Sequence, residues 1–305
     1  MLSFAKFSQI IATSRPKFLI LTPCCLLPAI AYVIAEQFPI NYPHLFLLFI
    51  GALAAHVSVN MFNEYGDFTS GLDLHTQRTP FSGGSGTLPV APELAKTVRM
   101  AAAICLLITL LIGFYFSWVS GWGLLPVGGL GVLLIYFYTP KITHSPLMCL
   151  IAPGLAFGPL MICGAYYVLS GQFNAAVFTI SLIVFFLVNN LLLLNQFPDL
   201  EADKNAGRQH LPILIGRKKT AWVYVFFLAA AYTVLALSIW LSFLPLFSLL
   251  ALLSLPFAVT AAKMVIEYAD DIDRLKPALA LNVAITLSTP VLVAAGIIFQ
   301  AQLSD

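Results

Sequence analysis

The chain has 305 residues, 60% of them hydrophobic and only 9% charged, with a formal net charge of +2 at pH 7 and a mean hydropathy of +0.93. This is the composition of an integral membrane protein, and so weak a positive balance gives a nucleic-acid partner no footing. Cys24, Cys25, Cys105, Cys149 and Cys163 lie in or beside apolar runs without CxxC spacing, which points to inert packing rather than a disulfide framework or metal site.

Hydropathy predicts nine spans, each near the ~20 residues needed to cross the hydrocarbon core, so the expected fold is all-α and polytopic. No small-residue cleavage site marks the N-terminus as a removable signal. Arg15-Pro16-Lys17 opens the first span, 18–35. The second, 44–63, ends in the phrase Asn63-Glu64-Tyr65-Gly66-Asp67, where Asn60, Asn63 and Asp67 share one helix face. His56, one turn before Asn60, either faces a cavity or is packed as a polar core residue. Gly66 and Gly71 predict that the helix frays here and lets Asp73 fold back from a loop. In Arg78-Thr79-Pro80-Phe81-Ser82-Gly83-Gly84-Ser85-Gly86, a glycine-rich backbone can turn N–H groups toward an anion. Arg78 can pair with phosphate oxygens, although a flexible loop would read the same way.

Spans 97–117 and 122–139 follow, the latter closing on Tyr138-Thr139-Pro140-Lys141. Lys141, like Arg15, either brings a cation to the same cavity or anchors a helix at the interface. Tyr136 and Tyr138 suit an interfacial aromatic belt, with Tyr138 also a candidate substrate contact. Spans 147–170 and 174–196 come next. The sixth ends in Asn195-Gln196-Phe197-Pro198-Asp199, an echo of the first phrase 132 positions downstream, with Asp203 following. Pro198 has no N–H and disfavours helix at Phe197, so a break is expected at 197–198. A short new helix would begin at Pro198 and carry Glu201 on a different side. Arg208 is the one basic residue of the following loop singled out as a ligand contact. Spans 220–241, 245–263 and 277–300 complete the chain. The charged segment 264–276, with Glu267, Asp270, Asp271 and Asp273, is a solvated loop that can cap the bundle.

With the N-terminus cytoplasmic, all 15 basic residues fall on the inner side, which sets the topology. Both carboxylate phrases and their loops then face the cytoplasm, and the C-terminus lies outside. The repeat suggests a four-helix unit used twice (about 18–140 and 147–263) plus a ninth helix, within one domain spanning 1–305. Mg²⁺ favours one or two carboxylates, waters and substrate phosphate oxygens. Two acid clusters on one cytoplasmic cavity would suit two such sites sharing a diphosphate.

At these residues the chain resembles the UbiA superfamily of intramembrane aromatic prenyltransferases, closest to the 1,4-dihydroxy-2-naphthoate polyprenyltransferase-like branch of menaquinone synthesis. The resemblance rests on Arg15-Pro16, the Asn63-to-Asp73 block, Gly83 to Gly86, Phe157-Gly158-Pro159-Leu160 through Gly164, and the Asp199-to-Gly216 block. It implies a nine-helix bundle in the inner membrane with a cytoplasmic-side cavity and a lateral portal. It also implies Mg²⁺-dependent transfer of a polyprenyl group from an allylic diphosphate to an aromatic acceptor, with Mg²⁺ held by Asn63, Asp67 and Asp73 on one side and by Asp199 and Asp203 on the other. Asp67, Asp199, Arg78, Lys141 and Arg208 would then be catalytic, while Asn60, Asn63, Asn195, Arg15 and Tyr138 would bind substrate. Glu64 stands where the family usually has Asp, His210 where Thr is common, and Ile142-Thr143-His144-Ser145-Pro146 lacks the glycine-rich acidic signature of a naphthoate enzyme. Other acceptors, such as 4-hydroxybenzoate or a tetrapyrrole, stay open as alternatives. A CDP-alcohol phosphotransferase would gather its carboxylates in a single run. An ion-coupled transporter would place them near the midplane of broken helices rather than at helix ends.

Overall fold

A chain surrounded by lipid must satisfy its backbone polar groups internally, which favours helices. The described residues form helices and turns and contain no strand. The structure is a computed structural model that describes residues 4–76, 78–79 and 82–304, so Pro80 and Phe81 of the glycine-rich loop lie outside the described residues. A surface helix α1 (Phe4–Thr13) leads into α2 (Pro16–Ala35) and α3 (Tyr42–Thr69). A four-residue helix α4 (Leu72–His75) follows, then α5 (Pro92–Val119), α6 (Leu124–Phe137), α7 (Pro146–Ser170) and α8 (Ala175–Asn205). A short α9 (Leu211–Ile215) precedes α10 (Arg217–Trp240), α11 (Leu246–Glu267) and α12 (Ile272–Leu303). Among the described residues, eight helices are long and apolar enough to cross a membrane, and α6 is a shorter apolar helix of 14 residues. The nine expected spans are therefore all helical, with the fourth reduced.

Three local expectations are corrected. No break occurs at Phe197-Pro198, because α8 runs on to Asn205 with Pro198 inside it. A proline removes one backbone donor, a loss that membrane helices absorb when neighbours serve the nearby carbonyls. The carbonyl left without its helical donor is that of Leu194; Arg217 Nε and Nη2 donate to the Phe197 carbonyl beside it at 3.0 and 2.8 Å.

Nor does α3 fray at Gly66. That residue is small because Thr139 packs on it; a Cβ there would come within 2.5 Å of Thr139 Cγ2. The chain turns later, at Gly71 with φ 79°, and α4 rather than a loop carries Asp73 back. The segment 264–276, finally, is mostly helix, with α11 ending at Glu267 and α12 starting at Ile272. Its acids make exposed pairs, Lys218–Asp270 at 3.4 Å, Arg274–Asp271 at 3.4 Å and Lys276–Asp273 at 2.7 Å.

Packing between α7 and α8 fixes one wall of the central cavity. From Ala156 to Cys163 α7 is π-helical, a departure that recurs at functional sites. Gly154 and Gly158, one turn apart, let the two backbones meet. A Cβ on Gly154 would collide with the Phe185 carbonyl oxygen and with Asn189, and one on Gly158 with the Ser181 carbonyl oxygen. The Gly154 N–H also donates to Asn189 Oδ1 at 2.6 Å. Backbone atoms cannot step aside as a side chain can, so Gly154→Ala should cost about 3 kcal/mol, the upper end of ordinary overpacking. Thermal unfolding in detergent reads this as a lowered Tm; an unchanged Tm would show that α7 does not press on α8 as described.

On the far side, polar contacts join α8, α10 and α12. Asn190 Nδ2 donates to the Tyr224 carbonyl (2.8 Å), Tyr224 OH to Asn282 Oδ1 (3.1 Å), and Asn282 Nδ2 to the Asn190 carbonyl (3.0 Å). Such bonds serve as glue where no hydrophobic force distinguishes helix from lipid.

Candidate functional site

Helices α3 and α8 end on the same side of the bundle, and the two Asn-x-x-x-Asp phrases meet there. Asn63 and Asp67 from α3, Asp73 from α4, and Asn195, Asp199 and Asp203 from α8 all line one polar cavity. Asn195, Asp199 and Asp203 are four residues apart in turn, so an unbroken α8 stacks all three on one face. The continuity across Pro198 is therefore what places Asn195 in line with the two aspartates.

One arginine joins the phrases. Arg208 Nη1 lies 3.0 Å from Asp203 Oδ1, and Arg208 Nη2 pairs with Asp67 Oδ1. The guanidinium fork suits this double duty because its donors point in fixed directions. His210 closes the same cluster, with Nδ1 3.1 Å from Asp203 Oδ2. Burial opposes the charged imidazole, but Asp203 and Cys149 outweigh it and hold His210 up at about 9. The acidic excess shows on the other side: burial first, then Asp67 and Glu64, push the Asp73 carboxyl up to about 7.

Glu64 has a different task from its neighbours. It is fully buried and holds both Arg15 and the glycine-rich loop. Arg15 Nε and the Ser85 N–H donate to Glu64 Oε1 at 2.9 and 2.7 Å, and Ser85 Oγ donates to Oε2 at 2.7 Å. The loop is thus stitched to a carboxylate. Between Asp73 and Glu64 the chain passes at Gly84, φ 72°, where a Cβ would sit 3.1 Å from Asp73 Oδ1 and Glu64 Oε1.

Arg15, itself at φ 54°, also donates from Nη2 to Asn63 Oδ1 at 3.1 Å. Asn60 donates to the Ser14 carbonyl at 2.9 Å. It faces an adjoining cavity of about 190 Å³ rather than the acid cluster itself. Tyr138, Asn63, Asn195 and Arg15 border both spaces, so the polar cavity opens directly into an apolar one lined by residues such as Phe18, Leu21 and Leu191.

Two of the expected catalytic cations lie outside the lining of the cavity. Lys141 is exposed and outside the lining of the cavity, at the start of a 3-10 turn. Arg78 is exposed at the rim, where Nη2 reaches the Asp73 carbonyl at 3.5 Å and the side chain covers Gly86. Conversely, Gln196, Cys149, Thr143 and Ser82 line the cavity without having been singled out. Gln196 had a signal, as the second residue of the repeated phrase. Ser82 lies in the glycine-rich loop already marked as a candidate anion binder, while Cys149 and Thr143 come from segments whose sequence shows only an ordinary helix end and a loop.

The UbiA prenyltransferase family matches this chain over residues 23–298. The 1,4-dihydroxy-2-naphthoate octaprenyltransferase of Bacillus subtilis is 31% identical over 194 residues, covering 61% of this chain and 60% of that protein. The chain thus spans less than two thirds of that relative. The 2-carboxy-1,4-naphthoquinone phytyltransferase of Synechocystis sp. is 25% identical over 275 residues, 88% of this chain and 85% of the relative. Among solved structures, a UbiA homolog from Aeropyrum pernix K1 superposes with a TM-score of 0.70 at 16% identity, covering 93% of this chain and 98% of that one. A UbiA homolog from Archaeoglobus fulgidus bound to DMAPP and Mg²⁺ gives 0.58 at 16% identity, over 94% and 99%. At these identities the two structures speak for a shared fold.

Proposed function

Because the chain belongs to the UbiA prenyltransferase family, we propose that it transfers a polyprenyl group from an allylic diphosphate to an aromatic, naphthoate-like acceptor, with Mg²⁺ at the acid cluster. The proposal includes the inner membrane as its location, with the acid cluster and N-terminus on the cytoplasmic side. The supporting observation is the meeting of the two phrases around Arg208. Around it Asp73 Oδ2, Asn195 Oδ1, Gln196 Oε1 and Asp199 Oδ1 are buried acceptor oxygens without a hydrogen-bond partner. Buried oxygens are seldom left so, and their grouping at one cavity suits hard cations, which take oxygen ligands. These free oxygens suit a hard cation, which Asn63, Asp67 and Asp73 would hold on one side and Asp199 and Asp203 on the other.

A divalent cation bound there would neutralise charge growing on the leaving diphosphate. In the reaction the allylic C1–O bond breaks and diphosphate leaves with the electron pair. A ring carbon of the acceptor then forms the new C–C bond to C1, and the ring loses a proton, or CO₂ where that carbon bore a carboxylate. Arg15 and Arg208 supply fixed positive charge beside the diphosphate, most effective in a cavity partly closed to water. Arg78 at the rim and Tyr138 at the junction of the two cavities are placed to meet the donor's head and the start of its chain. The apolar space beyond Asn60 keeps that chain from water, worth ~0.8 kcal/mol per CH₂.

Purified protein given Mg²⁺, a panel of prenyl diphosphates and aromatic acceptors should yield a prenylated ring, detected by mass spectrometry, and should stop in excess EDTA. Turnover undiminished by EDTA would remove the metal from the mechanism, and no product from any pair would remove the reaction.

A further inference from the structure

Transfer to an aromatic ring requires a group that takes the proton the acceptor gives up. His56 is an ionisable side chain within the membrane-spanning length of α3 and is only 7% exposed. Such residues are rare in hydrocarbon and mark function by default. Its ring lines the cavity that adjoins the acid cluster. His56, Asn60, Asn63 and Asp67 follow at intervals of four, three and four residues. One stripe of α3 therefore runs from this imidazole to the acid cluster.

The ring is held from two other helices. His56 Nδ1 lies 2.8 Å from Thr22 Oγ1 of α2, and the His56 and Phe157 rings stand edge to face, 4.9 Å between centroids. With Nδ1–H donating to the threonine oxygen, the lone pair of Nε2 is left for a ligand. No described residue is hydrogen-bonded to Nε2. The other polar side chains of this cavity are unsuited to the same work. Arg15 and Lys17 already carry their protons, Asn60, Asn63 and Asn195 have no basic nitrogen, and Tyr138 keeps its phenolic proton at neutral pH. From Asn63 to His56 is a rise of ~10 Å at 1.5 Å per residue. That distance accommodates one aromatic ring, in near-attack contact with the allylic carbon and hydrogen-bonded to Nε2 on its far side.

We propose that His56 is a catalytic residue, the base that binds a ring hydroxyl of the acceptor through Nε2 and takes its proton as the carbon–carbon bond forms, with Thr22 as its positioning residue. The inference rests on the prenyl-transfer reading above. The C1–O electron pair leaves with diphosphate, and a ring carbon conjugated with the hydroxyl bonds to C1. The O–H bond breaks, its electron pair goes into a ketone C=O, and the proton moves to Nε2. Where that ring carbon bore a carboxylate, loss of CO₂ returns an electron pair to the ring, and the ketone oxygen takes the proton back from His56. Where it bore hydrogen, the C–H pair returns to the ring in the same way and that hydrogen leaves as a proton to water.

Glutamine in place of His56 keeps a hydrogen-bonding group but cannot take the proton. In His56→Gln, kcat should fall ~100-fold or more, as loss of a positioned base does. Donor affinity, acceptor-free release of diphosphate and Tm should stay at wild-type values. Across acceptors of graded hydroxyl acidity, the ratio of wild-type to variant kcat should shrink as the hydroxyl becomes more acidic, a trend that a packing defect would not give. Thr22→Val should show a smaller loss with the same trend, and Thr22→Ser should restore the wild-type rate. Wild-type kcat in a folded His56→Gln, or in Thr22→Val where the first variant does not fold, overturns the assignment and gives the proton to the departing diphosphate. A loss equal for every acceptor overturns it too, and makes His56 a packing residue. A wild type inactive with every donor and acceptor overturns the prenyl-transfer reading itself.

Discussion

Asp199→Asn should reduce kcat/KM for prenyl transfer by about 10³-fold or more while leaving the protein folded. The side chain keeps its shape and loses one charge. Asp199 Oδ1 is buried with no partner, so the folded protein makes little use of it, and Asp203 one turn along is a like charge that its removal relieves. The reaction needs what the fold does not: a carboxylate to hold a cation against the departing diphosphate, where a single electrostatic group is commonly worth 10²–10³-fold. A ligand that anchors the cation as well as meeting charge belongs at or above that range. Glu201, exposed and on another side of α8, provides the control, since Glu201→Gln should leave turnover and Tm at wild-type values. Thermal melts and product formation by mass spectrometry, run together, separate the two effects. Activity of Asp199→Asn within tenfold of wild type would remove Asp199 from the metal-holding set.

The helical class, the number of spans and the convergence of the two phrases were legible because each depends on a signal that composition cannot hide. Twenty-residue apolar runs are long compared with chance, and acids are scarce in this chain. What escaped was set by contacts between distant segments. Pro198 reads as a helix breaker until α8 is seen to run through it to Asn205. Gly66 reads as a fray until Thr139 is seen packed on it. Glu64 looks like one more acid of the cluster, and only the structure shows it holding Arg15 and Ser85. Lys141 has the right charge and follows the right helix end, but it is exposed and outside the cavity lining. Sequence patterns carry the period of a helix well. They carry the identity of a residue's partner across the bundle hardly at all.

Arg208→Met should be costly in stability as well as in turnover. The substitution removes the only cation seen bridging Asp67 and Asp203 among the described residues, and both carboxylates are nearly inaccessible to water. Breaking a buried pair by deleting one partner typically costs ~3–5 kcal/mol, because the remaining charge stays buried and uncompensated. Here the deletion strands Asp67 while Asp203 keeps His210 beside it, so a loss of about 3–5 kcal/mol is expected without divalent cation, read as a large fall in Tm. Added Mg²⁺ should recover part of that loss, since an ion that binds only the folded state stabilises it by mass action. Arg208→Lys should keep the charge and lose the fork, holding one carboxylate at a time, so its Tm should lie between those of wild type and Arg208→Met. In all three proteins the rate should follow a different order from stability under saturating Mg²⁺. The cation can replace the positive charge that holds the helices together, but not a donor aimed at the leaving diphosphate. Arg208→Met with wild-type Tm in EDTA would show that the two half-sites do not depend on this arginine for their approach. Wild-type turnover in the same variant would remove Arg208 from the chemistry.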